Sequence, residues 1–372
     1  MNKRKNTASV TLEKVTKIFD DKQSQTKVVA VDNANFEIEP GQLVTLLGPS
    51  GCGKTTTLRM IAGFELPTKG RVLIGSQDIT YLPPNKRDTA MVFQSYGLFP
   101  HMNVYDNIAY GLKLRKVPKD KIKKRVMEIL RIVGLEELHS RAPSRLSGGQ
   151  QQRVSLARSL IVQPSVLLLD EPLSNLDALL REQMRVEIRR IQQSFGITAV
   201  YVTHDRVEAM SLSDLIIVMY NGKIIQIGAP HEIYERPVSQ FVAGFIGKVA
   251  FFPVEIQEFT TGDEGGKAKC VVKVKETVLT IDSFADDVSM EKPAVMMCRP
   301  ESMELVEKGQ GILDGTVKNN IYLGNSVEAF VDTEFGEILI QIDNPAQKKI
   351  FQEGEQASIV VNSEQARILV DE

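Results

Sequence analysis

Gly48-Pro49-Ser50-Gly51-Cys52-Gly53-Lys54-Thr55 follows the apolar run Leu43-Val44-Thr45-Leu46-Leu47 and leads into a helix-like stretch at 55–61. Buried strand, glycine-rich turn and helix, in that order, make a phosphate cradle of the form G-x-x-x-x-G-K-[ST]. Its backbone N–H groups are expected to wrap phosphates, Lys54 to reach the β/γ oxygens, and Thr55 to ligate Mg²⁺. Thr56 is placed for a further phosphate contact. Cys52 contributes its backbone to the loop rather than its thiol. By itself the cradle says only that a nucleotide binds.

About a hundred residues on, Leu146-Ser147-Gly148-Gly149-Gln150 opens a second helix. Ser147 suits an N-cap, and adjacent glycines let an anion approach the backbone at a helix N-terminus. The following residues Val154, Ala157 and Ile161 share one face before Pro164 closes the helix. A plain capped helix explains the serine but not two glycines in the first turn, where they are costly. One cradle and one such turn per chain suggest that a nucleotide is held between two copies.

Val166-Leu167-Leu168-Leu169-Asp170-Glu171 reads as a buried strand ending in two acids. Strand alternation points the two carboxylates apart, so they can take different tasks. Asp170 suits a Mg²⁺ shell, and Glu171 suits polarising an attacking water; the plain alternative is an acid pair capping a turn. His204 ends the apolar run 198–202 plus Thr203, where it can donate a hydrogen bond to a γ-phosphate or serve the fold alone. Gln94, after Thr89-Ala90-Met91-Val92-Phe93, can complete a Mg²⁺ and water shell or merely end a strand. Phe19 offers a face for stacking a nucleobase, its alternative being a strand-core aromatic. Asn85-Lys86-Arg87-Asp88 matches the N-K-x-D string that reads guanine, but it precedes the acid strand instead of following it. It reads as a solvated charged loop.

At 372 residues two or three domains are expected. Apolar content of 42% and charged content of 25% are those of a globular protein. A net charge of −2 gives no support for a nucleic-acid surface, which shows a basic excess. Three scattered cysteines without metal-ligand spacing fit a reducing compartment. The basic start Met1-Asn2-Lys3-Arg4-Lys5-Asn6 has no apolar core after it, so no secretory signal is expected. Apolar runs such as 166–169 and 215–220 fall far short of the ~20 residues that span a bilayer. From 9 to 247, apolar runs alternate with amphipathic stretches, such as the charged helix expected at 119–134. This is the pattern of an α/β core, with a helical subdomain at about 95–165. From 248 to 372, short β-rich runs at 267–274, 294–298, 316–322, 326–331 and 338–342 predict an all-β appendage, a small barrel or sandwich.

Taken in order, these motifs resemble the ATPase subunit of an ATP-binding-cassette (ABC) transporter. The resemblance covers about 10–247: phosphate loop, Gln94, the signature 146–150, the acid strand, Ser174-Asn175-Leu176-Asp177, and His204. Two stretches narrow it to importers. Gln94-Ser95-Tyr96-Gly97-Leu98-Phe99-Pro100-His101-Met102 resembles the loop that grips a cytoplasmic helix of the membrane subunit. Arg299-Pro300-Glu301 and Tyr322-Leu323-Gly324 resemble the oligosaccharide-binding-type (OB-like, TOBE) regulatory domain of sugar, polyamine and ferric-iron importers. Gly97 stands where that family usually has Ala, and Arg206 where Gln is usual.

The resemblance implies ATP and Mg²⁺ as ligands and a homodimer of ATPase subunits. Ser147, Gly148, Gly149, Gln150 and Asp177 would serve the partner's nucleotide. It further implies two integral membrane permease subunits docked at 94–102 and, indirectly, a solute-binding protein. The expected location is the cytoplasmic face of the inner membrane. Ferric iron, polyamine, sugar or polyol, and aminophosphonate all remain open as solutes. The rival reading is a soluble ABC protein acting on ribosomes or DNA, though the chain has neither a fused second cassette nor a long coiled-coil insertion.

Overall fold

The computed structural model describes residues 7–21, 26–260 and 269–371. The basic start at 1–6 and Lys267, at the head of an expected strand, lie outside these. The chain forms two compact units, 1–230 and 231–372.

The first unit opens with β1 (Val10–Asp21) and β2 (Thr26–Ile38), then β3 (Leu43–Leu47), α1 (Lys54–Ala62), β4 (Lys69–Ile74), β5 (Gln77–Asp78) and β6 (Thr89–Val92). Three helices follow: α2 (Val104–Leu114), α3 (Lys119–Ile132) and α4 (Gly148–Leu160). The chain then alternates through β7 (Val166–Asp170), α5 (Ala178–Phe195), β8 (Thr198–Thr203), α6 (Arg206–Leu212), β9 (Leu215–Tyr220) and β10 (Lys223–Gly228). A six-stranded sheet runs β10-β9-β3-β8-β7-β6, parallel except for β10, and a second, antiparallel sheet runs β2-β1-β4-β5.

Every residue of β3 and β8 is buried, as expected of strands covered on both faces. Alternation divides the central sheet between two cores. Val166 and Leu168 of β7 with Val200 and Val202 of β8 pack toward α1 and the antiparallel sheet. Leu167, Leu169, Ala199 and Tyr201 pack toward the helical side. The charged helix expected at 119–134 is α3, whose Ile122, Val126, Ile129 and Leu130 make one buried stripe. It gives way at Gly134, whose φ of 66° is left-handed.

The loop at 85–88 is exposed at Asn85, Lys86 and Asp88, as expected of a solvated segment, and only Arg87 departs from that expectation. Arg87 is only 6% exposed and donates to the carbonyls of Met60, Ile61, Thr80 and Leu82 at 2.6–3.1 Å. It thereby satisfies last-turn carbonyls of α1 that the helix leaves unpaired. Asp88 accepts a hydrogen bond from Ser165. The string is a structural clasp, not a guanine reader.

In the second unit, α7 (Pro230–Glu235) and α8 (Gln240–Ile246) precede β11 (Ala250–Thr260), β12 (Lys269–Val274), β13 (Thr277–Ile281) and β14 (Ala294–Cys298). The chain continues with β15 (Met303–Glu307), β16 (Leu313–Tyr322), β17 (Ser326–Thr333), β18 (Gly336–Asp343), β19 (Gln356–Val361) and β20 (Arg367–Val370). They form two five-stranded sheets, β13-β12-β11-β14-β20 and β15-β19-β16-β17-β18, all antiparallel pairings. The division falls earlier than the joint expected at 247, and Arg299 gives the reason. Its guanidinium donates to Ala243, Lys248 and Tyr234 carbonyls at 2.9, 3.1 and 2.9 Å, which fixes α7 and α8 to the β-rich unit.

Candidate functional site

Gly51 and Gly53 in the phosphate loop have φ of 80° and 102°, conformations that side chains with a Cβ resist. A Cβ on Gly48 would stand 2.2 Å from the Met219 carbonyl oxygen. The loop is therefore wrapped tightly against β9. Lys54 is 5% exposed, and its ammonium donates to the Gly48 and Pro49 carbonyls at 2.7 and 2.8 Å. That places the cation inside the curl of the loop, where the phosphates of the cradle motif would lie. The Cys52 thiol is buried 3.8 Å from Lys54, and burial pushes its pKa up despite that cation. It is a poor nucleophile.

Asp170 and Glu171 diverge at the end of β7. Asp170 faces α1 and accepts from the Thr55 hydroxyl at 3.3 Å. Burial raises its pKa, while the Thr55 hydrogen bond, Arg59 and Lys54 pull it down. Glu171 takes a φ of 41°, unusual for a residue with a side chain, and its N–H donates to Val202 of β8 at 3.0 Å. That turn swings its carboxylate to 3.3 Å from His204 Nδ1. The His204 side chain is 58% exposed, open to a ligand or solvent.

Ser147 caps α4 with a full capping box, its hydroxyl accepting from Gln150 N while the Gln150 side chain accepts from Ser147 N. No hydrogen bond among the described residues joins this turn to the phosphate loop. A Cβ on Gly148 or Gly149 would come within 2.9 Å of Leu176 or 2.8 Å of Leu180. Packing against these leucines is thus a second reason for the paired glycines, one that the sequence reading lacked. Asp177 caps α5 by accepting from Leu180 N. Gln94 is exposed, and its carbonyl accepts from Asn175 at 2.8 Å, so the 94–102 loop is tied to the 174–177 turn. Phe19 lies on β1 opposite Val28, 38% exposed, with the Lys17 ammonium 4.6 Å from its ring centre.

The sequence reading missed Arg181, Asp205 and Glu208, which surround the Glu171–His204 pair from behind. The available signal was spacing: Arg181 lies one helical turn after Asp177, and Glu208 four residues after His204. It also missed Ser155 and Arg158 of α4, which donate to the carbonyls of Tyr96 and Gly97 at 2.6–3.0 Å. A cavity of about 770 Å³ lined by Arg125, Glu128 and Gln193 holds none of the motif residues. The motif cluster is instead an open face along the sheet's strand ends.

A parallel sheet with a phosphate cradle, a divergent acid pair and a histidine at its strand ends defines a nucleoside-triphosphatase of the phosphate-loop class. The ABC transporter family pattern matches residues 31–174, and the TOBE domain pattern matches 296–369. The Fe(3+) ions import ATP-binding protein FbpC of Brucella suis biovar 1 (strain 1330) is 48% identical over 332 residues, covering 89% of this chain and 90% of that protein. The spermidine/putrescine import ATP-binding protein PotA of Mesorhizobium japonicum is 44% identical over 359 residues, 96% of each. Among solved structures, the dimeric post-hydrolysis state of the ATP-binding cassette MJ0796 bound to ADP and Pi superposes with a TM-score of 0.53 at 30% identity. That match covers 59% of this chain and 98% of the other. The chain belongs to the ABC transporter family, as an ATP-binding importer ATPase with a C-terminal TOBE domain.

Proposed function

We propose that the chain powers a membrane importer by closing and opening as a homodimer on ATP. The observation that carries this is the Glu171–His204 contact at 3.3 Å beside the phosphate loop. Glu171 orients water for in-line attack on the γ-phosphate, and His204, held through Nδ1, turns its other nitrogen to the γ-phosphate oxygens. The partner copy's turn at 147–150 covers the same phosphates, with Asp177 beside it, and closure excludes water so that these contacts strengthen. Hydrolysis removes the charge that holds the copies together.

Thr55 Oγ1 and Asp170 Oδ1, 3.3 Å apart, are hard oxygen donors at a separation that suits neighbouring ligands of Mg²⁺. When bound, Mg²⁺ would neutralise charge on the β/γ-phosphates, with Gln94 completing its shell. Phe19 stacks on the adenine.

The 94–102 loop is the docking site for two permease subunits. Support comes from Ser155 and Arg158: the helix that opens with the signature turn also holds the carbonyls of Tyr96 and Gly97. No helix among the described residues is long and apolar enough to cross a membrane, and the chain sits peripherally on the cytoplasmic face through those partners. Ferric iron is the solute we favour, from 48% identity to the FbpC relative. A polyamine is the second reading, from the fuller 96% coverage of the PotA relative. Both relatives are importers, which favours transport over action on ribosomes or DNA.

The test is Glu171→Gln. The variant should bind ATP, lose hydrolysis and accumulate an ATP-dependent dimer in sedimentation. Hydrolysis at the wild-type rate would remove Glu171 from the mechanism. Uptake of radiolabelled ferric iron and of spermidine in cells lacking and regaining the chain separates the two solutes.

A further inference from the structure

A polar cavity of about 70 Å³ lies behind the catalytic pair. Glu171, Ser174, Arg181, Thr203, His204, Asp205 and Glu208 line it. Two carboxylates, Asp205 and Glu208, face one guanidinium, that of Arg181. Arg181 Nη2 donates to the Leu176 carbonyl at 3.0 Å, reaching back into the 174–177 turn. Its Nη1 stands 3.8 Å from Asp205 Oδ2, and its Nε stands 4.0 Å from Glu208 Oε1.

Each carboxylate divides its oxygens the same way. Glu208, 3% exposed, uses Oε2 to accept from the Tyr201 and Thr203 hydroxyls at 2.8 and 2.7 Å, leaving Oε1 toward Arg181. Asp205 uses Oδ1 to accept from the N–H groups of Val207 and Glu208, leaving Oδ2 toward Arg181. Arg181 Nε is buried and makes no hydrogen bond. Both ionic separations exceed a hydrogen bond, and the cavity has room for about two waters at ~30 Å³ each among several polar partners. Burial raises the Glu208 pKa, with the two hydroxyls and Arg181 opposing it.

We propose that Arg181 is a positioning residue for His204, coupling the 174–177 turn to the histidine loop through Asp205, Glu208 and bridging water. The proposal rests on the reading of His204 as a group that contacts the γ-phosphate. His204 stands between Thr203, held by Glu208, and Asp205, held toward Arg181. Its ring is largely exposed, so its placement depends on these neighbours and on Glu171. A displacement of the turn that carries Leu176 pulls on the guanidinium and hence on both sides of His204. The fork geometry of arginine matters here, because one planar group must serve a carbonyl and two carboxylates at once.

The test compares Arg181→Lys and Arg181→Gln in the full chain. Lysine keeps the positive charge opposite Glu208 but cannot span three acceptors. A structural charge would be rescued by lysine; a positioning fork would not. Arg181→Lys should keep its Tm within a few degrees and its KM for ATP within about twofold, while kcat falls roughly tenfold or more.

The ring signals of the four histidines give an independent readout. The signal lost in His204→Ala identifies His204. It should be displaced in Arg181→Lys while His101, His139 and His231 stay in place. Wild-type kcat in Arg181→Lys, or an unmoved His204 signal, overturns the proposal. If Arg181→Gln fails to fold, Arg181→Lys and Glu208→Gln still decide: Glu208→Gln should also displace the His204 signal, and its failure to do so counts against the coupling. Wild-type hydrolysis by His204→Ala would instead defeat the reading of the site. An inactive His204→Ala beside a fully active Arg181→Lys defeats only the present inference.

Discussion

Among the described residues each unit buries two cations, and they are used differently. In the first, Lys54 and Arg87 are 5% and 6% exposed; in the second, Arg299 and Arg367 are 4% and 8% exposed. Arg87 closes four carbonyls around the end of α1, and Arg299 closes three around α7, α8 and the turn before β11. Arg367 likewise donates to the Pro237 carbonyl and the Ser283 hydroxyl. Lys54 alone of the four holds carbonyls of a glycine-rich loop that opens on the strand-end face. A buried cation with fixed fold partners signals structure. One that rests on a loop built to meet an anion signals function.

The sharpest break of this comparison is Arg299→Met. It keeps the apolar stem but takes the donor from the part-buried Tyr234 and Lys248 carbonyls, at about 1–3 kcal/mol for each acceptor left unpaired, while the Ala243 carbonyl still accepts from the Gly247 N–H. The second unit should lose ~2 kcal/mol or more, read as a lowered urea midpoint for that transition. ATP hydrolysis by the first unit should persist. Arg87→Met should produce a loss of similar size in the other unit, with weakened nucleotide binding because α1 carries Lys54 and Thr55. If Arg299→Met abolished hydrolysis while Arg87→Met did not, the assignment of these clasps to separate units would be wrong.

Lys54→Ala comes next. It removes charge-assisted contacts worth about 1.5–3 kcal/mol, so ATP binding should weaken roughly tenfold to a hundredfold. Stability should change less than in either arginine variant, because the loop carbonyls it leaves can turn to water. Equilibrium binding of a fluorescent ATP analogue and thermal unfolding of the same sample test both halves of this expectation.

The same contrast explains what the sequence disclosed. The strands feeding 48–55, Asp170 and His204 are short, mostly apolar and bounded by motif residues, so pattern alone located them. The β-rich texture of the second unit was legible too, but not Met303–Glu307 or Gln356–Val361, whose pairing partners lie some fifty residues apart. Arg87 and Arg299 were opaque for a related reason. A charged residue in a loop reads as solvated unless one knows which carbonyls fold over it. The antiparallel sheet that carries Phe19 was hidden by register shifts along β1, which break the period-two alternation.

Gly97→Ala probes the docking loop at smaller cost. Gly97 has φ of 57°, and a Cβ there would meet Arg158 Nη2 at an unstrained 3.5 Å. Space is available, so only the backbone resists, by about 1 kcal/mol. The first unit's Tm should fall by about 2–4 °C for a domain of that size. ATP hydrolysis by the isolated chain should be unchanged, since Gly97 lies outside the residues assigned to ATP. A larger loss of stability would mean that Arg158 cannot yield.

A further effect belongs to the second unit and is read as a pH dependence. Tyr234 donates to Glu301 at 2.5 Å, and burial together with that carboxylate pushes its pKa up to about 12. An unfolded tyrosine titrates near pH 10. The folded value is raised, so this group's stabilising contribution is fully present below about pH 10 and is lost as pH rises toward 12. Tyr234→Phe removes the titration along with the hydrogen bond. Stability of the wild-type second unit should therefore decline more steeply than the variant's between pH 10 and 12, and parallel slopes would show that the hydroxyl is solvated. The Arg299 guanidinium lies 4.2 Å from the Tyr234 ring centre, so the phenolate that forms gains an attractive neighbour. That attraction opposes burial and Glu301 and limits how far the pKa rises.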